Sequence, residues 1–276
     1  MFADDLKIYI AVKDLQSCRE LQNDLDSISI WCKDNCLTLN IKKCKVLRFG
    51  RCKALTMYPT SYLIDGIILQ DVAIHKDLGV TVDAQLSYQH HLNCIIAKAN
   101  MRLGFVKRNT NDFTNLRTFT TLYCALVRPI LEYAASIWNP KYDCNIRRLE
   151  RVQIKFIKFI CYKIGVEYHS YMYNYLLLYL GLNSLQTRRV MTDVLFGYRI
   201  LRAAINCAEL LSYFKIHVPS INTRSKSELS VDMHRTNYSC NSVINRIKSA
   251  INQVACRVNI YEPSYKKFKY DLMRSL

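Results

Sequence analysis

The sequence predicts an α+β segment over residues 1–83, followed by a mainly α-helical segment from residue 84 onward. Three observations support this fold class. The 276 residues include 7 Gly, well below the usual share of about 7%, which favours long helices over a turn-rich all-β fold. Hydrophobic residues make up 50% of the chain, enough for a sizeable core. Short strand patterns also give way to long amphipathic patterns near residue 84.

The first segment alternates between short strand patterns and one helix pattern. Residues 6–12 predict a strand, and residues 14–32 predict an amphipathic helix that Asp14 can cap. Asp65-Gly66 lies between two apolar runs and predicts a β-hairpin. Further short strands are predicted at 37–39, 46–49 and 78–82.

Longer patterns dominate the rest of the chain. Helices are predicted over 88–108, 112–137, 142–163, 172–180, 184–207 and 242–258. Pro129 lacks a backbone N–H and should kink or interrupt the second of them. A polar loop is predicted over 219–241, and 265–270 forms a basic aromatic tail that either contacts nucleic acid or is a plain surface end. We divide the chain into three predicted domains: 1–83, 84–165 and 166–276.

The net charge of +17 is unevenly distributed. Residues 1–83 carry 11 Lys/Arg and 11 Asp/Glu, whereas residues 84–276 carry 28 and 11. The second part therefore holds the entire positive excess, which indicates a polyanionic partner. Nucleic acid is the leading candidate, because neutralising phosphates releases counterions. A basic surface that serves only solubility is the other interpretation.

The helix predicted over 142–163 carries a basic ridge, which we define as Arg148, Arg151, Lys155 and Lys158. An apolar stripe of Leu149, Val152, Phe156 and Ile160 follows the same helical spacing. The ridge is placed to follow a phosphate backbone, or it is a solvated face. The charge of the surrounding region favours the first interpretation.

The chain opens on an acidic pair, Asp4-Asp5, with apolar residues on both sides. Carboxylates in an apolar run need compensation, and a hard divalent cation such as Mg²⁺ supplies it. The pattern suggests a hairpin that presents two carboxylates at its tip. An exposed acidic turn in an ordinary hairpin fits the same residues.

The chain contains 12 Cys and opens without a secretory leader, so we expect reduced thiols and an intracellular protein, cytoplasmic or nuclear, rather than a secreted one. No apolar run approaches 20 residues, so no membrane span is predicted. The grouping of Cys32, Cys36, Cys44 and Cys52 raises the alternative of a zinc site. Their spacings include no Cys-x-x-Cys pair, which favours small buried side chains instead.

The opening residues 2–9, FADDLKIY, resemble the aromatic-x-Asp-Asp motif of non-LTR retrotransposon reverse transcriptases. Further blocks follow in the order of that family, and the last group, from Leu122 onward, looks like the region after the palm in jockey-like elements. These blocks are Trp31-Cys32, Asn35, Leu37-Thr38-Leu39-Asn40, Lys43, Lys76-Asp77-Leu78-Gly79-Val80, Leu122-Tyr123, Leu126-Val127-Arg128-Pro129, Leu131-Glu132-Tyr133, Trp138, Leu149-Glu150 and Val152-Gln153. The acidic motif alone is weakly specific, but the ordered series is strong.

The resemblance implies a C-terminal fragment of an RNA-directed DNA polymerase. Residues 1–83 would then be part of the palm, 84–165 a thumb-like region and 166–276 a helical extension. Asp4 and Asp5 would bind Mg²⁺ or Mn²⁺, Lys43 would act on the departing pyrophosphate, and Leu78-Gly79 would position the primer. The implied partners are an RNA template, a DNA primer or duplex, and deoxynucleotides in the intact enzyme.

The family's fingers and another metal-binding Asp motif are not among these residues. We therefore expect weak or absent metal binding and no polymerase activity from this chain alone. The alternative function is a non-catalytic, basic nucleic-acid-binding module. A helical interaction protein without a nucleic-acid role is a third interpretation.

Overall fold

The computed structural model describes residues 5–50, 61–218 and 227–276. The chain divides into two compact units, Met1–His91 and Leu92–Leu276, which we call unit 1 and unit 2. The described elements of unit 1 are α1 (Leu15–Asp34), β1 (Lys45–Leu47), β2 (Leu63–Ile64), β3 (Ile67–Ile68), β4 (Gln70–Val72), β5 (Ile74–Asp77) and β6 (Val80–Asp83). Strands β1 and β4 pair in parallel, whereas β2–β3 and β5–β6 are antiparallel hairpins.

Helix α1 begins at the predicted cap, because the Asp14 carboxylate accepts a hydrogen bond from the Ser17 backbone N–H at 2.7 Å. Its Gln22 side chain exchanges two hydrogen bonds with the backbone of Leu63, at 2.9 and 3.0 Å. The β2–β3 hairpin confirms the Asp65-Gly66 prediction, and both turn residues have positive φ. A small core of Tyr62, Ile64 and Leu69 lies beneath, against α1 and β1.

Two of the predicted strands are wrong. Residues 6–12 are described, but they pair with no strand in the described structure. An apolar alternation forms a strand only where a neighbour pairs with it. Residues 37–39 are not a strand either, since Leu37 donates its N–H to Cys32 O at 2.8 Å and closes the end of α1. Cys36 has φ 57° there, as in a left-handed helix cap.

Unit 2 is helical. Its described helices are α2 (Gln89–Asn109, which begins at the end of unit 1), α3 (Leu116–Leu126), α4 (Arg128–Glu132), α5 (Ala135–Trp138), α6 (Asp143–Lys163), α7 (Tyr173–Tyr179), α8 (Leu185–Leu201), α9 (Ala208–Ser212), α10 (Asn237–Cys240), α11 (Val243–Ala255) and α12 (Tyr265–Ser275). A 3₁₀ turn, Ser170–Met172, leads into α7. The predicted helix 112–137 is interrupted at Pro129, because α3 ends at Leu126 and α4 begins at Arg128 with Pro129 in its first turn. The remaining predicted helices match the described ones closely.

The core of unit 2 confirms the predicted apolar stripe of α6, whose four residues are all buried. Tyr123 on α3 stacks on Phe156 with ring centroids 4.3 Å apart. A second cluster joins α8, α11 and α12. Gly197 on α8 lets α11 approach closely, since an added Cβ would lie 2.6 Å from Ile247 and Ile251 atoms.

The basic aromatic tail is not a plain surface end. It forms α12, whose Phe268 is fully buried and stacks on Tyr198 at 4.0 Å. Phe268, together with the buried Leu272, therefore anchors the helix. Of the predicted polar loop, 219–226 lie outside the described residues. The rest includes α10 and Leu229, which is buried and forms a bridge with Ile216. Among the described helices, none is long and apolar enough to cross a bilayer.

Candidate nucleic-acid interface

The acidic opening is only partly described: Asp4 lies outside the described residues, and Asp5 is exposed. One contact places this segment within unit 1, because Lys7 Nζ lies 2.6 Å from Asp77 Oδ2. Asp77 is the last residue of β5, directly before Leu78. The ion pair thus brings the segment that follows Asp5 to the hairpin that carries two predicted site residues.

Leu78 and Gly79 form the two-residue turn of the β5–β6 hairpin, not the predicted strand. Their φ angles of 43° and 87° are those of a primed turn, which matches the twist of the flanking strands. The leucine side chain is exposed. The pair therefore presents backbone and one apolar side chain at a tip, and the strand itself begins at Val80.

Lys43 lies in a turn, where its N–H donates to Asn40 O at 2.9 Å and its side chain is exposed. In the described structure it makes no hydrogen bond or ion pair with Asp5, Leu78 or Gly79. The described residues also contain no group of three or more His, Cys, Asp or Glu side chains that could hold a metal ion. Among the described residues, the set of oxygen ligands that Mg²⁺ needs is therefore incomplete. The assignment of Asp4 and Asp5 as metal ligands stays a prediction.

Asp83, the last residue of β6, has a structural role that sequence reasoning missed. Its buried carboxylate accepts hydrogen bonds from the backbone N–H groups of Gln85, Ser87 and Tyr88 at 2.9–3.0 Å, and from the Ser87 hydroxyl at 3.0 Å. Burial alone would raise the pKa of this carboxyl, but the hydrogen bonds outweigh it and lower the pKa. Asp83 thus fixes the chain where β6 leads into α2.

The basic ridge lies on one face of α6, opposite its buried stripe. Arg151, Lys155 and Lys158 are exposed and Arg148 is half-buried. Arg148 Nη2 donates to Asn93 Oδ1 at 2.6 Å, and Lys155 Nζ donates to Asn100 Oδ1 at 2.8 Å. These α2 partners are neutral amides, so they orient the cations without neutralising them. Within the described residues, no ridge side chain forms an ion pair with a carboxylate.

More positive charge lies beside the ridge. Lys107 on α2 lies over the Phe159 ring, 5.5 Å from its centroid. Burial, and then repulsion from Lys155, lowers the pKa of Lys107. Two cations that repel each other on neighbouring helices are held there by packing. Such an arrangement concentrates positive potential at the surface and suits an anionic ligand.

Beneath the ridge, α6 is fixed by a buried polar network that the sequence did not reveal. Gln153 is fully buried and accepts a hydrogen bond from the Tyr123 hydroxyl at 2.9 Å. Its amide donates to Tyr173 Oη at 3.1 Å and Asn183 O at 3.0 Å. Tyr173 in turn donates to Glu150. Burial first, and then the nearby Glu150 carboxylate, raises the pKa of both tyrosines.

The network extends through adjacent arginines of α8. Arg188 forms a two-point ion pair with Glu132 of α4, with one N–O distance of 2.9 Å. This hydrogen bonding raises the pKa of Arg188. Arg189 is buried and donates to Asn139 Oδ1 at 3.0 Å. Its two terminal nitrogens and Glu150 Oε2 are buried without a partner in the described structure. Burial lowers the pKa of Arg189, while the Glu150, Asp193 and Glu132 carboxylates oppose that shift.

A second ion pair joins α8 to α11. Asp193 is buried and accepts hydrogen bonds from Arg246 Nε and Asn139 Nδ2, both at 2.9 Å. Arg246 also donates to the Ser136 carbonyl. Several family-like residues, namely Tyr123, Glu132, Glu150 and Gln153, therefore serve the interior. Their contacts join the helices that carry and surround the ridge. Spacing in the sequence does not reveal this role, because it depends on which side chains they meet in the fold.

The described geometry is that of a neutral unit with small hairpins and a basic helical unit with an exposed ridge. Comparisons with known proteins identify what this chain is similar to. It is 27% identical over 159 residues to a probable RNA-directed DNA polymerase from transposon BS of Drosophila melanogaster, which covers 55% of this chain and 17% of that protein. It is also 31% identical over 75 residues to an uncharacterized protein of Caenorhabditis elegans, 27% of this chain and 37% of the other.

The similarity confirms the predicted relationship to reverse transcriptases: this chain is related in sequence to a transposon RNA-directed DNA polymerase. The chain spans about a sixth of that relative and just over a third of the other. No family model matches the chain. No solved structure matches it either.

Proposed function

We propose that this chain is the palm end and thumb region of a non-LTR retrotransposon RNA-directed DNA polymerase, and that unit 2 binds its template–primer duplex. The observation that carries the proposal is the basic ridge: Arg148 and Lys155 contact neutral amides, and within the described residues no ridge cation forms an ion pair with a carboxylate. The similarity to a transposon polymerase supports the class of ligand. Asp4 and Asp5 would be metal ligands, Lys43 would stabilise the leaving pyrophosphate, and Leu78-Gly79 would contact the primer.

The ridge can follow a phosphate backbone because its members repeat at three and four residues along one face of α6. Two of them are held in place by α2 amides, so little side-chain entropy remains to be lost on binding. The binding is expected to be tolerant of sequence, since phosphates carry no sequence information.

The direct test measures binding of an RNA–DNA duplex of about 20 base pairs by fluorescence anisotropy between roughly 50 and 200 mM salt. The variant replaces Arg151, Lys155 and Lys158 with Gln. Each phosphate contact contributes about 0.9 to the slope of log affinity against log salt, so the slope should fall by roughly three units.

The matched control removes the same charge away from the ridge and from the basic aromatic tail, by replacing the exposed Arg202, Lys215 and Arg235 with Gln. We expect its salt slope to stay close to that of the unchanged chain. Equal losses in the two variants would show that only net charge matters, and the ridge would lose its assigned role.

The catalytic part of the proposal has its own test, primer extension on an RNA template with Mg²⁺. We expect these 276 residues alone not to extend a primer, because a second set of metal-binding carboxylates is not among them. Extension that disappears in Asp4→Ala would contradict that expectation and assign polymerase activity to this chain.

A further inference from the structure

The exposed face of the helical stretch from Ser170 to Tyr179 carries a tyrosine row, which we define as Tyr171, Tyr175 and Tyr179. Their side chains are 80%, 67% and 64% exposed. Residues four apart lie on one face of a helix, about 6 Å apart along its axis. The row is therefore an ordered series of aromatic rings that face solvent.

The opposite face of this stretch is well fixed. Leu176 and Leu177 are buried, and the Tyr173 hydroxyl donates to Glu150 of α6. The exposure of the row is thus a property of a packed helix. Leu178, directly before Tyr179, is also 80% exposed. Exposed apolar and aromatic side chains grouped on one short helix are typical of an interaction site.

Two contacts connect the row to the basic ridge. Lys158 of the ridge lies over the Tyr168 ring, 5.2 Å from its centroid. The next residue, His169, lies parallel to Tyr171 with ring centroids 5.5 Å apart. Cations and stacked rings therefore form one continuous surface, from the ridge on α6 to the first tyrosine of the row.

We propose that the tyrosine row stacks unpaired bases of a single-stranded nucleic acid whose phosphates lie along the basic ridge. The inference rests on the proposed function of unit 2 and extends it from duplex phosphates to unpaired bases. The charge of the surrounding surface indicates the occupant. The row adjoins ridge cations that form no ion pair with a carboxylate among the described residues, in the part of the chain that holds the whole positive excess. Aromatic rings accept any base, because every base has a π-face.

The test compares a thymidylate oligonucleotide of about 20 nucleotides with an abasic oligonucleotide of the same length, on the full chain. Both have the same phosphates, so their affinity difference reports base stacking. Tyr171→Ala, Tyr175→Ala and Tyr179→Ala together should bring thymidylate binding down to the abasic level, with a loss of at least about fivefold for each engaged ring. The three Tyr→Phe changes should keep the preference for thymidylate.

Tyr213→Ala is the matched control, since this tyrosine is 56% exposed outside the row; it should leave both affinities unchanged. Circular dichroism verifies that the variants remain folded. Unequal affinities for the two oligonucleotides that the Ala changes do not reduce would overturn the inference. Equal affinities in the unchanged chain would do so as well. In both cases, weaker duplex binding by the ridge variant would still support the proposed function.

Two further outcomes distinguish the other possible roles of the tyrosine row. If the row mediates self-association, sedimentation will show a dimer that the Ala changes convert to monomer while thymidylate binding is unaffected, and the inference is wrong. If the unchanged chain binds neither oligonucleotide nor the duplex, the proposed function fails and the inference fails with it.

Discussion

The ridge cations of unit 2 differ in their partners from the paired cations of unit 1. In unit 1, Lys7, Lys33 and Arg48 each form an ion pair with a carboxylate of the β-hairpin region, at 2.6, 2.7 and 3.1 Å. In unit 2, three of the four ridge cations contact asparagine amides or an aromatic ring. The charges of unit 1 therefore stabilise its own fold, whereas those of the ridge stay available for an external anion.

Their interiors differ as well. The described part of unit 1 has two-stranded pairings and a small core, with Trp31, Phe49, Ile67 and Ile68 exposed. Unit 2 buries large apolar clusters together with ion pairs such as Asp193–Arg246. Short hairpins with exposed apolar residues are marginal by themselves, so we expect unit 2 to be the more stable unit.

The chain offers one tryptophan reporter in each unit. Trp31 on α1 is 58% exposed, and Trp138 on α5 is 1% exposed with its N–H donating to Tyr133 O at 2.8 Å. In a Trp31→Phe background, fluorescence follows unit 2 alone. Hydrogen exchange of the hairpin amides follows unit 1.

The largest expected loss of stability comes from removing a buried ion pair in the interior of unit 2. Asp193→Ala leaves Arg246 partly buried without its carboxylate and should lower the free energy of unfolding by about 3–5 kcal/mol. Urea unfolding followed by Trp138 fluorescence measures it. Asp143→Ala is the control, since its pair with Arg147 is exposed and 3.9 Å long; little change is expected. A loss under about 1 kcal/mol in Asp193→Ala would contradict the role of this ion pair.

A smaller effect tests how closely α8 and α11 pack. Gly197→Ala places a Cβ 2.6 Å from Ile247 and Ile251 atoms and should cost about 1–3 kcal/mol by overpacking. The control is Gly104→Ala on α2, where the added atom meets only the flexible end of Arg108 at 3.3 Å. That change should stabilise by up to about 1 kcal/mol, because Ala favours a helix over Gly. Two changes of the same sign would reject the packing argument.

A single carboxylate of unit 1, that of Asp83, stabilises the turn before α2. Asp83→Asn should weaken the turn before α2 by about 1–2 kcal/mol, since an amide oxygen replaces a charged acceptor of four hydrogen bonds. Faster hydrogen exchange at Ser87 and Tyr88 measures the loss. Ser87→Ala is a milder comparison, because it removes only the hydroxyl donor. Unchanged exchange in Asp83→Asn would mean that the turn forms without this carboxylate.

The pH dependence of that turn follows from the lowered pKa of Asp83. A folded pKa below the unfolded value of about 3.9 stabilises the native state above that pH. The contribution is lost as the pH falls through the folded pKa. Protection at Ser87 and Tyr88 should therefore decrease with acid in the unchanged chain, and much less so in Asp83→Asn.

Sequence reasoning succeeded where one physical signal is sufficient. The stripe of α6, the Asp65-Gly66 turn and the Asp14 cap follow from spacing or from local backbone preference, and the structure has all three. The four ridge residues were also predicted by spacing alone. Whether a phosphate backbone lies on them is a question that spacing does not answer.

Sequence reasoning failed where contacts between residues distant in the sequence decide which side chains are buried. Charged residues such as Arg189 and Asp193 are rarely buried, so no pattern predicts that they lie inside. Phe268 lies between two lysines in the sequence, so no apolar pattern predicts that it is buried and anchors α12. The tyrosine row was missed because an apolar run predicts burial, and only packing shows that Leu176 and Leu177 are inside while Tyr175 and Tyr179 face solvent.

The smallest expected effect concerns the contact that ties the acidic opening to the β5–β6 hairpin. Lys7→Ala removes an ion pair whose side chains are 53% and 31% exposed, so the free energy of unfolding should change by less than about 1 kcal/mol. The exchange of the Leu78 and Gly79 amides should still rise, and added salt should produce a similar rise in the unchanged chain, because screening weakens an exposed pair. Lys42→Ala, an exposed lysine outside the pair, is the control. Equal exchange in both variants would show that the opening segment and the hairpin tip are independent, and the proposed grouping of Asp5 with Leu78-Gly79 would lose its structural support.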